Sequence, residues 1–138
     1  MPVQNPDVRI VSFGYLHGEP PAAHLTADLR VHFRDPHVSP ELRYMTAEDQ
    51  AVRDAVLGTA GIPQLVATLA DAVTAYRSGP SAGPLTVAVG CAGGRHRAAT
   101  VAAALADRLA GMDVPADVVH RDLHRAVVER GPDGTAAR

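Results

Sequence analysis

Leu85-Thr86-Val87-Ala88-Val89-Gly90-Cys91-Ala92-Gly93-Gly94-Arg95-His96-Arg97, running on to Leu109, is the stretch that decides this fold. Leu85 to Val89 shows no strong polar alternation, the pattern of a strand covered on both faces. After the glycines, Ala98, Val101, Ala102, Leu105 and Leu109 recur at helical spacing, and Gly111 ends the helix. Strand, glycine-rich loop and helix in that order leave the helix's first amides unpaired and aim the positive end of its dipole over the loop. Gly90, Gly93 and Gly94 permit a backbone too tight for residues with a Cβ, so that amides converge on one oxyanion. Arg95, His96 and Arg97 add side-chain donors, two of them guanidinium forks suited to phosphate. The expected anion site is therefore Gly90, Cys91, Ala92, Gly93, Gly94, Arg95, His96 and Arg97. The other reading is an ordinary strand-to-helix turn with solvated arginines.

Upstream, Val8 to Phe13 is rich in β-branched and aromatic residues and stops at Gly14, a first strand. Tyr15 to His24 carries Gly18, Pro20 and Pro21 and reads as a loop. Thr26 to Phe33 alternates, with Ala27, Leu29, Val31 and Phe33 opposite Asp28, Arg30 and His32, which predicts a half-polar strand. Asp28 and Arg30 are either a solvated ion pair or part of a cleft wall. Arg34 to Pro40 is a proline-punctuated loop carrying Asp35 and His37. Thr46 to Asp49 resembles a capping box opening a helix to about Leu57, closed by Gly58. Ile62, Leu65, Val66, Leu69, Val73 and Tyr76 mark a second helix ending near Gly79.

Downstream, Val114 to His120 returns as a strand, residues 122–130 suggest a short helix, and 131–138 a disordered tail. A strand, a helix and a strand in this order imply a parallel pair with a right-handed crossover. The expectation is one α/β domain over residues 1–130, a sandwich with a mainly parallel sheet and helices packed on it. Ligands of such sheets bind at the carboxyl ends of the strands. That places Ser12, His17, Asp28, Arg30 and His120 as companions of the glycine loop.

At 138 residues and 46% hydrophobic content the chain can bury a core without staples. Only five residues are aromatic (three Tyr, two Phe, no Trp), so stacking platforms for single-stranded nucleic acid are scarce. The formal charge of -2 argues against nonspecific nucleic-acid binding by bulk charge. The single cysteine excludes an intrachain disulfide framework and a multi-cysteine metal site. No signal core and no bilayer-length run is present, so the expectation is a soluble, cytoplasmic protein without cofactor.

Cys91 and Arg97 share the Cys-x5-Arg spacing of cysteine phosphatases, in which a thiolate attacks phosphorus in line. Asp35 is the candidate general acid of that alternative. Gly90 stands where such loops carry His, and Ala98 where they carry Ser or Thr. A nucleotide P-loop is excluded, since Gly-x4-Gly-Lys-Ser/Thr does not occur. His120 and His124 would share a metal only on a helix, and no third ligand is evident.

Several segments together resemble the C-terminal domain of the RapZ family, adapter proteins that present small regulatory RNAs to an endoribonuclease. They are Ser12-Phe13-Gly14-Tyr15 with Gly18 and Pro20, Asp28-Leu29-Arg30, Leu42-Arg43-Tyr44-Met45-Thr46, Leu85 through Arg97, and His120-Arg121-Asp122-Leu123. The resemblance spans Val8 to Leu123 and implies a domain related to a phosphofructokinase subdomain. It also implies sensing of glucosamine-6-phosphate or a similar phosphometabolite, RNA binding and a homo-oligomer. Arg121 and Arg125 are what remains of the family's basic RNA patch, diluted by Asp122, Glu129 and Asp133. The family's P-loop domain has no counterpart in these residues, so nucleotide hydrolysis is not carried over. Ala92 replaces the loop's usual hydroxyl residue and Ala98 a Ser, which removes two potential hydrogen bonds to ligand.

Overall fold

The computed structural model describes residues 7–33, 40–81 and 83–127. Four strands, β1 (Val8–Gly14), β2 (Leu25–Asp28), β3 (Leu85–Cys91) and β4 (Ala116–His120), form one sheet in the order β2-β3-β1-β4. Every pairing is parallel. Among the described residues the helices are α1 (Pro40–Arg43), α2 (Gln50–Leu57), α3 (Ile62–Arg77) and α4 (Arg97–Ala110), with a 3-10 turn at Tyr15–His17.

Topology puts the helices on one face. The step from β1 to β2 runs across the sheet in one direction, while the steps from β2 to β3 and from β3 to β4 run in the other. Right-handed crossovers then send the Tyr15–His24 connection over one face and α1 to α4 over the opposite face. Val8, Ile10, Leu85, Val87, Val89 and Cys91 accordingly share one core with Val52, Val66, Val73, Ala98, Val101 and Leu105 of the helices. On the other face the rings of Phe13 and Tyr15 cover Gly90, where a Cβ would come within 2.6 Å of the Tyr15 ring. Connections from β1 and β3 leave toward opposite faces, the switch point beyond whose carboxyl ends α/β sheets place their ligand sites.

Three expectations change. The strand predicted over Thr26–Phe33 stops at Asp28, because the Asp28 carboxylate accepts the Arg30 N–H (2.9 Å) and turns the chain. Leu29 is buried, but Val31 is 75% exposed, contrary to the alternation. The predicted helix starts only at Gln50: Asp49 accepts the Thr46 N–H (3.0 Å) and Thr46 Oγ1 accepts that of Glu48 (3.2 Å), so the box closes a turn ahead of the helix. After β4, Asp122 to Arg125 forms one turn instead of a helix, with the Arg125 N–H on the Asp122 carbonyl (3.1 Å). Asp35, His37 and the tail at 131–138 lie outside the described residues.

Candidate functional site

The carboxyl end of the sheet is built on two glycines that meet, Gly14 and Gly94. A Cβ on Gly14 would lie 2.5 Å from the Gly93 carbonyl carbon, and one on Gly94 would lie 2.8 Å from the Gly14 nitrogen. Gly94 has φ of 78°, a left-handed conformation in which a side chain is strained. The end of β1 therefore presses directly on the glycine loop. Gly93 differs, since a Cβ there would meet nothing within 4 Å.

Asp122 fastens the contact from below. Its carboxylate is fully buried and accepts the Gly14 N–H at 2.8 Å. Arg121 donates Nε–H to the same oxygen (3.0 Å), and also reaches the Glu19 and Gly14 carbonyls. Arg125 Nε approaches the other carboxylate oxygen at 3.0 Å, without hydrogen-bond geometry. Burial pushes the Asp122 carboxyl up, but the hydrogen bonds from Arg121 and Gly14 and the nearby charges of Arg121 and His17 outweigh it and hold it below the usual carboxylate value. Sequence reasoning quoted Asp122 without giving it this work. The available signal was its place, two residues past the end of a parallel strand.

The loop's own side chains mostly hold the loop. Arg95 donates Nη1–H to the Arg125 carbonyl (2.8 Å) and Nη2–H to that of Tyr44 (2.6 Å). His96 Nε2–H donates to the Met45 carbonyl (2.7 Å), and the Ala47 N–H returns a bond to the Arg95 carbonyl (2.8 Å). Burial, opposed by the Met45 carbonyl and aided by the Arg95 charge, pushes the His96 ring below its ordinary value. Arg97 donates Nη1–H to the Leu29 carbonyl at 3.0 Å, which ties the first residue of α4 to the end of β2. All three acceptors of Arg95 and Arg97 are main-chain oxygens, leaving the guanidinium groups cross-linked across the site.

The loop amides are left over. Among the described residues, the N–H groups of Gly93, Arg95, His96 and Arg97 have no protein acceptor. Those of Gly94 (3.3 Å) and Ala98 (3.4 Å) donate to Cys91 Sγ. Cys91 is 2% exposed and belongs to the buried core, with its sulfur under the first turn of α4.

Of the companion residues, Ser12 and His120 sit opposite each other on β1 and β4 and are joined at 2.7 Å between Oγ and Nδ1. Asp28 and Arg30 form the expected ion pair, bidentate at 3.0 and 2.8 Å, and these hydrogen bonds hold the Asp28 carboxyl below its ordinary value. The Arg30 guanidinium lies 3.5 Å from the centre of the Tyr15 ring, a stack the sequence did not reveal. His17 Nε2 is a buried atom without a partner among the described residues. Neither Arg121 nor Arg125 is a free cation, both being paired with Asp122, and His124 stands in a turn 3.5 Å from Glu48.

Residues 6–124 match the family model of the RapZ C-terminal domain. The chain belongs to that family. It is 42% identical over 121 residues to a nucleotide-binding protein of Salinispora arenicola, covering 86% of this chain and 41% of that protein. A nucleotide-binding protein of Thermus thermophilus is 43% identical over 120 residues, with 86% of this chain and 43% of the relative covered. One from Thermobifida fusca is 40% identical over 119 residues, covering 84% and 40% respectively. The chain thus spans about two-fifths of the length of these relatives, and RapZ C-terminal membership extends over nearly all of its described part.

Proposed function

We propose that this domain binds a phosphorylated small molecule, a sugar phosphate such as glucosamine-6-phosphate or a nucleotide, with the phosphoryl group on the glycine loop. The observation that carries this is the set of uncommitted amides at Gly93, Arg95, His96 and Arg97, at the start of a fourteen-residue helix and at the carboxyl end of a parallel sheet. Such amides favour an oxyanion over a neutral group, and the helix dipole adds to them. Gly90, Cys91, Ala92 and Gly94 shape the loop, while His17, Asp28, Arg30 and His120 would line the rest of the site, with the buried Ser12 behind His120.

Family membership supports this reading. The name nucleotide-binding protein belongs to relatives more than twice as long, so it supports a phosphorylated ligand only at that level. The role given to Arg95 and Arg97 is one of shape: their cross-links hold the loop so that the amides face outward. An RNA surface at Arg121 and Arg125 is the weaker reading, because Asp122 neutralises much of their charge. Phosphatase use of Cys91 is weaker too, since its sulfur is buried and already accepts the Gly94 and Ala98 amides.

Calorimetric titration with glucosamine-6-phosphate, nucleoside phosphates and inorganic phosphate tests the proposal. Gly93→Asp is the informative variant, because open space at that Cβ lets it fold while placing a carboxylate among the amides. Binding to the parent, weakened at least about tenfold in the variant at an unchanged melting temperature, supports the reading. No heat with any phosphorylated ligand, or equal binding by parent and variant, sinks it.

A further inference from the structure

Ser12 is a fully buried hydroxyl in the middle of a parallel sheet, facing the helices. Among the described residues its hydroxyl has one hydrogen-bond partner, Nδ1 of His120, at 2.7 Å. A buried hydroxyl whose hydrogen lacked an acceptor would carry the full desolvation penalty of an unmade bond. The Ser12 hydrogen must therefore point at Nδ1, which makes Nδ1 the acceptor and leaves the ring proton on Nε2.

His120 is half-buried at the last residue of β4, two positions before Asp122, whose Cβ lies 3.1 Å from where a Gly94 Cβ would be. Its Nε2 has no protein partner among the described residues. We infer that Ser12 fixes His120 as the Nε2–H tautomer, and that this N–H is a side-chain donor to an oxygen of the phosphate held on the glycine loop. This rests on the phosphate reading of that loop.

The charged and titratable groups facing the ring are Glu48 ahead of α2 and His124 after β4, while Asp122 is turned toward Gly14 and Arg121. Burial pushes the ring down, Glu48 pulls it up and His124 pushes it down, with a net shift below the ordinary histidine value. A neutral ring is consistent with the tautomer argument. Its donor capacity comes from the hydrogen bond to Ser12 and needs no positive charge.

Nitrogen-15 NMR of uniformly labelled protein at pH 7 reads the ring state directly, with His120→Gln assigning the resonance. The expected result is an Nε2–H ring in the free protein. Inorganic phosphate should then shift the His120 Nε2 and the Gly93 and Arg95 amides together. An Nδ1–H ring or an imidazolium overturns the inference. So does a ring that stays still while the amides shift, an outcome that leaves the phosphate site itself standing. If neither moves, the phosphate reading fails and the inference with it. Ser12→Ala should convert the ring to mixed tautomers and weaken phosphate binding roughly three- to tenfold. Unchanged tautomer and affinity in that variant would remove Ser12 as the positioning residue.

Discussion

The Asp122 carboxylate accepts the main-chain N–H of Gly14 at 2.8 Å, joining the turn after β4 to the last residue of β1. The same carboxylate pairs with Arg121 at 2.9 Å and has no exposed surface. Asp122→Ala would strand a buried amide and leave Arg121 without its counter-charge. A loss of about 3 kcal/mol is expected, read as a lower denaturant midpoint at unchanged slope. Asp122→Asn should lose less, since its amide oxygen can still accept from Gly14.

Acid should reveal the same group. The folded Asp122 carboxyl sits below its ordinary value, so on acidification the unfolded chain takes up this proton first. Stability from this group is complete above the unfolded value of about 3.9 and is lost as pH falls from there through the lower folded value. Asp28 is depressed as well, but its side chain is 42% exposed and contributes less. Chemical unfolding between pH 6 and pH 2 should therefore show a shallower acid decline in Asp122→Asn than in the parent. Equal slopes would contradict this assignment.

Gly14 and Gly93 should respond very differently to a methyl group. At Gly14 the added Cβ meets the Gly93 backbone at 2.5 Å, and no side-chain rotation relieves it. Gly14→Ala is expected to cost about 3 kcal/mol, at the upper end of overpacking. Gly93→Ala meets open space and should stay within about 0.5 kcal/mol of the parent. Thermal melts of the two variants side by side check the contrast.

The strand, loop and helix from Leu85 to Ala110 were legible because an apolar run, a glycine cluster and a 3.6-residue stripe each carry a period or a breaker that survives any tertiary context. The end of β2 was not, because one hydrogen bond from the Arg30 amide to Asp28 competes with strand alternation, and alternation alone does not register it. Thr46 to Asp49 showed the residues of a helix start correctly but placed it before Gln50. The work of Arg95 and Arg97 was hidden for a different reason. Their acceptors are main-chain oxygens 30, 51 and 68 residues distant, and any residue supplies such an oxygen. Local sequence marks the donors but says nothing of these partners.

Arg95 gives the last test. Its two guanidinium bonds hold the Tyr44 and Arg125 carbonyls, while its own carbonyl receives the Ala47 amide at 2.8 Å. Removing the side chain should release the Tyr44–Ala47 segment from the glycine loop without disturbing the sheet. Charge-assisted bonds to carbonyls contribute more than neutral ones, so Arg95→Ala is expected to lose about 2 kcal/mol. Amide hydrogen exchange locates the loss: protection at Ala47 should fall sharply, while the β1 and β3 amides in the sheet centre follow only the global change. Arg95→Lys keeps the charge but lacks the planar fork that spans two carbonyls, and should recover only part of that protection. Uniform loss of protection across Ala47 and the sheet would show that Arg95 supports the whole domain and not this segment.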